Sequence, residues 1–198
     1  ENSQIKSISN QLGISEDLIK LEPTVIGVMY PSHMEDRVLL NWPEVPQVLI
    51  DTILSVEDQN FFNHFGISLK SISRAFLKNI QAGEVEQGGS TITQQLAKSL
   101  FFSSEQTIRR KVMEAIASIL IELHYSKEEI LLAYINDVFL AQSGKRAIHG
   151  FGMGAQHFFG TSISNLSTDQ IALLVGMLKG PSLYNPRRNP NNATKRRN

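Results

Sequence analysis

The chain has 198 residues, 41% of them hydrophobic and 19% charged, and 19 basic side chains balance 19 acidic ones. These values suit one globular domain with a sizeable core and exclude a disordered chain, while the balanced charge argues neither for nor against nucleic acid. The absence of cysteine excludes disulfides, thiolate metal sites and a cysteine nucleophile, and no apolar run approaches the roughly 20 residues that a membrane span needs.

Residues 1–22 are polar, with a short amphipathic helix expected around Ser15–Lys20. Thr24–Tyr30 and Arg37–Trp42 are β-prone runs flanking a polar turn and predict a small hairpin. After Pro46 the pattern becomes helical, with Val48, Leu49, Thr52 and Ile53 spaced for one face. Ser68 can cap a helix running to about Ala82. A glycine-containing loop follows, and Thr91-Ile-Thr-Gln94 fits a capping box opening the next helix. A long helix from about Ser104 to Leu123 is expected to bury Ile108, Val112, Ala115, Ile116, Ile119 and Leu123. Ser126-Lys-Glu-Glu129 is a second capping box, leading a helix through Leu140, and Gln142–Gly150 reads as a loop. FGMGAQHFFG predicts a short helix ended by Gly160, and Ser167 caps a last one ending at Gly180-Pro181. YNPRRNP is extended, and Lys195-Arg196-Arg197 reads as a solvated tail. The fold expected is mainly α with one small N-terminal β-hairpin.

The stretch Ser55–Gly66, SVEDQNFFNHFG, carries the first chemical signal. Adjacent carboxylates, Glu57 and Asp58, precede Phe61, Phe62, His64 and Phe65. Charges beside so much apolar surface are either well paired or chemically used, because desolvating them is costly. The alternative is an exposed acidic turn before a buried aromatic cluster. Further on, Gly88 and Gly89 would let a ligand approach the backbone, and the helix opened by Thr91 would present free N–H groups to an anion. Helical spacing puts Thr91, Gln94, Gln95 and Lys98 near one polar face, which suits phosphate but also an ordinary capped helix with a solvated lysine. Arg110 and Glu114 stand at i and i+4, opposite the apolar stripe of their helix. Alone they make a surface pair worth a few tenths of a kcal/mol; at a cleft they could orient an anionic group. Glu57 and Glu114 together offer the two carboxylates that sugar chemistry commonly uses.

In this order the segments resemble the peptidoglycan glycosyltransferase domain of bifunctional class A penicillin-binding proteins, in particular the 1b-type of Gram-negative bacteria. The resemblance rests on Glu57-Asp58-x-x-Phe61-x-x-His64-x-Gly66, then Gly88-Gly89-Ser90-Thr91-Ile92-Thr93-Gln94-Gln95-Leu96-x-Lys98, then Arg110-Lys111-x-x-Glu114. Ile130-Leu131-x-x-Tyr134-x-Asn136 and Ala172-Leu173-Leu174-x-Gly176-x-x-Lys179-Gly180-Pro181-x-x-Tyr184-Asn185-Pro186 complete it. It covers roughly residues 40–190 and implies a lysozyme-like, two-lobed helical fold that polymerises lipid II with inversion and release of undecaprenyl diphosphate. Glu57 would then be the general base, and Lys98, Arg110 and Lys179 would meet the diphosphate. Glu114 would orient those cations or a metal. Ser90, Thr91, Gln94, Gln95 and Asn136 would shape the donor site, and Asp58, Phe61, His64, Gly88 and Gly89 would support it. Some family members use a divalent cation and others a lysine, so Mg²⁺ is an optional cofactor.

The resemblance further implies lipid II and a lipid-linked nascent strand as partners, inhibition by moenomycin-type donor mimics, and no nucleic acid. It places the protein on the membrane surface at the periplasmic face of the inner membrane. Residues 1–40 would join a preceding region to a domain at 41–190, with 191–198 leading toward a transpeptidase domain. The sequence departs from the usual pattern at Gln59, Ser99, Asp137 and Ala141, none of which is the proposed base. A lysozyme-like hydrolase and a non-catalytic binding module are the rival readings; the Gly-Gly-Ser-Thr block and the three basic positions favour a diphosphate leaving group.

Overall fold

A computed structural model describes residues 35–68, 70, 73, 89–102 and 107–198. The expected helix at Ser15–Lys20, the strand at Thr24–Tyr30, most of the Ser68–Ala82 helix and Gly88 lie outside them. What is described is mainly helical with a small sheet, as expected.

Helix α1 spans Gln47–Glu57 and buries Leu49, Ile50 and Ile53. Val48, expected on the inner face, is 41% exposed; Ile50 takes its place. The capping boxes open their helices at the predicted residues. Before α2 (Ile92–Phe101), Thr91 Oγ1 accepts from the Gln94 N–H and Gln94 Oε1 accepts from the Thr91 N–H, both at 3.1 Å. Before α4 (Lys127–Asp137), Glu129 Oε2 accepts from the Ser126 N–H at 2.8 Å. Each box satisfies two helix-end donors that would otherwise lack a partner.

The helix between them reverses expectation. In α3 (Ile108–His124) the buried residues are Glu114 and Ser118. The apolar stripe faces outward: Ile108 is 86% exposed, Val112 54%, Ile116 47% and Leu123 62%. Turning a polar face inward is tolerable only when each polar group is satisfied. That condition is met, since Ser118 Oγ donates to the Ala115 carbonyl at 2.8 Å and the Glu114 carboxylate is doubly paired.

Helix α4 stops at Asp137, short of the Leu140 expected. The chain instead forms β2 (Phe139–Ser143) and β3 (Arg146–His149), where a loop was predicted. The turn between them is the two-residue Gly144-Lys145, with Gly144 at φ +59°; positive φ there is what a tight hairpin requires. Strand β1 (Glu35–Arg37) adds to β3 in parallel, giving the order β1-β3-β2. The Arg37–Trp42 segment therefore contributes only its start to a strand, and its described partner is β3.

Helix α5 (Gly150–Phe159) covers the sheet, and α6 (Thr168–Met177) packs on α1. Helix α6 ends before the Gly180-Pro181 expected. The predicted solvated tail is helix α7 (Pro190–Arg197), begun by Pro190 in its first turn and packed on α6 with Ala193 buried. Proline suits that position because its missing N–H would have no helical partner there. Leu49, Ile53, Ile92, Leu131, Phe151 and Leu174 form the centre of one core shared by α1, α2, α4, α5 and α6.

Candidate active site

Glu57 is the last residue of α1 and is only partly buried. Its Oε2 accepts from Gln95 Nε2 at 2.9 Å, and Gln95 Oε1 in turn accepts from the Tyr134 hydroxyl at 3.2 Å. Tyr134, on α4, is 2% exposed, so its hydroxyl sets which end of the Gln95 amide faces the carboxylate. Burial raises the Glu57 pKa above the ordinary glutamate value; the Gln95 bond and the positive charge of Arg196 lower it, and Asp58 raises it. Burial and the nearby Glu57 also push the Tyr134 phenol up, so it stays a neutral donor.

Asp58 has a separate task. Its Oδ2 lies 2.8 Å from His64 Nε2 and accepts the Ile92 N–H at 3.1 Å. It thereby satisfies a free donor of the α2 N-terminus and places a negative charge at the positive end of the helix. Thr91 Oγ1 donates to the Gly66 carbonyl at 2.6 Å. Gly66 sits at φ +75°, and a Cβ there would lie 2.8 Å from the Ser118 carbonyl oxygen, so only glycine lets this segment approach α3. The SVEDQNFFNHFG stretch is thus pinned to both α2 and α3. Of its phenylalanines only Phe61 is core, at 0% exposed; Phe62 and Phe65 are 53% and 51% exposed. Phe101, the last residue of α2, is 62% exposed.

The expected polar face of α2 is divided. Thr91 and Gln94 are buried and used in the capping box, Gln95 faces Glu57, and Lys98 is exposed. On α3, the Arg110 guanidinium pairs with Glu114 Oε1, while Lys111 Nζ donates to Glu114 Oε2 and to Ser90 Oγ, each at 2.8 Å. Glu114 is 0% exposed, so this is no surface pair. Both oxygens of Glu114 are thus engaged by cations, which it holds together on α3. The same donor set, basic on both sides, does not fit a divalent cation, and among the described residues no cluster of three or more acidic, histidine or cysteine side chains offers another metal site.

Asn136, expected at the donor site, is bonded to the main chain: its Oδ1 accepts from the Leu40 N–H at 2.8 Å and its Nδ2 donates to the Leu40 carbonyl at 2.9 Å. It clamps the main chain of Leu40 with both ends of its amide. Asp137 is ion-paired with Arg37 at 2.9 Å, binding β1 to the end of α4. Lys179 is exposed beyond the end of α6, Gly89 is partly buried just ahead of Ser90, and Gly88 is outside the described residues. Sequence reasoning assigned no task to Tyr134, Lys111 or Arg196. Tyr134 and Lys111 were visible inside their motifs; nothing local marked Arg196 apart from the basic run.

The model of the transglycosylase family matches residues 23–198. The chain belongs to that family. It is 49% identical to penicillin-binding protein 1B of Haemophilus influenzae over 96% of this chain and 25% of that protein. With penicillin-binding protein 1B of Vibrio cholerae it shares 48% identity over 90% of the chain and 23% of the relative. The Escherichia coli protein of the same name is 47% identical over 90% of the chain and 21% of its own length. The chain thus spans about a quarter of the length of these relatives. Within the transglycosylase family, the five ordered motifs fall inside the matched region.

Proposed function

We propose that this chain is a peptidoglycan glycosyltransferase domain that joins lipid II units into β-1,4-linked glycan, with Glu57 as the general base. The observation that carries the assignment is Glu57 itself: a partly accessible carboxylate, moved by burial toward a more basic pKa and aimed by Gln95. Family membership supports the reaction class. The acceptor's 4-hydroxyl oxygen attacks the anomeric carbon of the donor as Glu57 takes the hydroxyl proton. The bond from that carbon to the diphosphate oxygen breaks, the leaving group keeps the electron pair, and the configuration inverts. A positioned base of this kind contributes about 10²–10⁴-fold.

The departing diphosphate gathers negative charge, and preorganised cations are the usual means of stabilising it. Arg110 and Lys111 are fixed by Glu114 on α3, and Lys98 stands on α2, which packs against α3. Lys179 completes the basic set in the proposed donor site. This mechanism needs no metal, and the pairing of Glu114 favours that version of it.

The substrate carries a long lipid, which gives the outward stripe of α3 a use. Leu100 and Phe101 at the end of α2, the helix packed against α3, are exposed as well, and exposed apolar side chains in such number suit a lipid contact. The protein would then work at a membrane surface, on the periplasmic side of the inner membrane, and donor mimics of the moenomycin type would compete at the basic site.

The test is polymerisation of lipid II by the wild type and by Glu57→Gln. Loss of about 10²-fold or more in the variant, with an unchanged far-UV spectrum, is the expected result. Cleavage of finished glycan strands without polymerisation would establish the hydrolase instead, and undiminished polymerisation by Glu57→Gln would remove Glu57 as the base.

A further inference from the structure

We propose that Thr93, a buried residue of α2, is a positioning residue for Gln95 and through it for the Glu57 carboxylate; the inference rests on Glu57 being the base. Thr93 is anchored from α3. Glu122 continues the inward polar stripe of that helix, one turn beyond Ser118 and two beyond Glu114. Its side chain is 3% exposed, and its Oε1 accepts from Lys127 Nζ at 2.7 Å and from the Thr93 hydroxyl at 2.6 Å. A buried carboxylate paired in this way is a firm anchor, because moving it off its cation strands the charge. The proposed reaction gives this carboxylate no proton or substrate to handle.

The contacts close a ring on the stretch that carries the base. Lys127 Nζ lies 4.4 Å from the centre of the Phe61 ring, and the Phe61 N–H donates to the Asp58 carbonyl at 3.0 Å. Lys127 is thereby held against the residues that follow Glu57. From Lys127 the path runs through Glu122 to Thr93, along α2 to Gln95, and from Gln95 Nε2 back to Glu57 Oε2. Thr93 and Gln95 are two residues apart, about 200° around an α-helix, so α2 is gripped on nearly opposite sides. A helix held on one side can roll about its axis; held on both, it cannot. Tyr134 sets which end of the Gln95 amide faces the carboxylate, and Thr93 sets where that amide stands. Misplacing a catalytic group by about 1 Å can cost about 10²-fold.

The experiment compares Thr93→Val, Thr93→Ser and Thr93→Val/Gln95→Leu with the wild type and with Gln95→Leu, by two readouts. One is the steady-state kinetics of lipid II polymerisation at a temperature where all are folded. The other is the proton–nitrogen NMR signal of the Gln95 side-chain amide, identified by its absence in Gln95→Leu. In Thr93→Val, kcat should fall about three- to tenfold, within the loss expected of Gln95→Leu itself, with KM unchanged. The amide signal should move toward that of a free side-chain amide. Thr93→Ser keeps the hydroxyl and should restore both, and the double variant should be no slower than Gln95→Leu. An unmoved amide signal in folded Thr93→Val would overturn the inference, as would a full further loss of rate in the double variant. A moved signal with wild-type kcat would leave the coupling standing and count against Glu57 as the base, so the two failures are distinguishable. If Thr93→Val does not fold, Glu122→Gln decides: weakening the anchor should move the Gln95 amide signal part-way, and an unmoved signal would assign the pair to the fold alone.

Discussion

Gln95 Nε2 stands 2.9 Å from Glu57 Oε2, and this bond opposes the effect of burial on the carboxylate. Replacing Gln95 with leucine removes the donor, so the Glu57 pKa should rise and the acid limb of polymerisation should shift to higher pH. A hydrogen bond to a charged group contributes about 1.5–3 kcal/mol, which makes a loss of about tenfold or more in rate the expected outcome at neutral pH. Tyr134→Phe, which only frees the amide to turn over, should lose less. A wild-type pH profile in Gln95→Leu would mean the bond is idle.

Glu57 also sets a stability signature. A carboxyl with a raised folded pKa binds its proton more tightly when folded. Its contribution to stability is therefore greatest below the unfolded value, 4.5 here, and declines as pH rises toward the folded pKa. Glu57→Gln abolishes that decline while keeping an acceptor for Gln95. Thermal melts should show the variant gaining on the wild type as pH climbs from 4.5, and a gap that does not change with pH would refute the assignment of the shift.

Thr91 and Asn136 should behave as scaffold. Thr91→Ala removes a cap, costing about 1 kcal/mol, and strands the buried Gly66 carbonyl for about 1–3 more. Asn136→Ala leaves the Leu40 N–H and carbonyl without their partners, at a cost of about 2–6 kcal/mol by the same reasoning. Denaturant unfolding measures both. If Asn136→Ala melted like wild type yet failed to use the donor, its expected place in the donor site would stand and the clamp would be unimportant.

The elements best read from sequence are those decided by neighbours in the chain. Thr91–Gln94 and Ser126–Glu129 announced their helices because a capping box is complete within four residues. The face of α3 was misread because periodicity shows that a stripe exists and not which side meets the core. The deciding facts, Glu114 held by two cations and Gly66 lying against Ser118, are contacts across the fold. The β2–β3 hairpin was hidden because Phe139 and Leu140 continue the apolar rhythm of α4, although Gly144 was a usable turn signal. For the site, Glu57 was legible through its motif; Tyr134 behind Gln95 and Glu122 behind Thr93 required the packed structure.

Glu114 offers a sharper test of how the basic groups are held. Removing one partner of a buried ion pair costs about 3–5 kcal/mol because the remaining charge is stranded. Glu114→Ala should therefore destabilise the protein by about that amount, leaving Arg110 and Lys111 without their shared anchor. Arg110→Ala should be milder, since Lys111 still reaches Glu114 at 2.8 Å, but should weaken use of the diphosphate donor. Unfolding curves paired with donor titration separate the two effects. Equal destabilisation by both variants with unaltered donor use would assign the cluster to the fold alone.

The outward face of α3 separates binding from stability most cleanly. Ile108, Val112, Ile116 and Leu120 are 86%, 54%, 47% and 51% exposed, so replacing them with serine removes little that is packed. Surface substitutions of this kind usually fall within about ±0.5 kcal/mol each. Burial of the same side chains in lipid would contribute about 25 cal/mol per Å² of apolar surface, so losing several should weaken vesicle binding far more than it lowers the melting temperature. Sedimentation with phosphatidylglycerol-containing vesicles, run beside thermal melts of Ile108→Ser/Val112→Ser and Ile116→Ser/Leu120→Ser, measures both quantities. Unchanged sedimentation would exclude this face as the lipid contact, and a collapse in melting temperature would show that these side chains are covered in solution by protein.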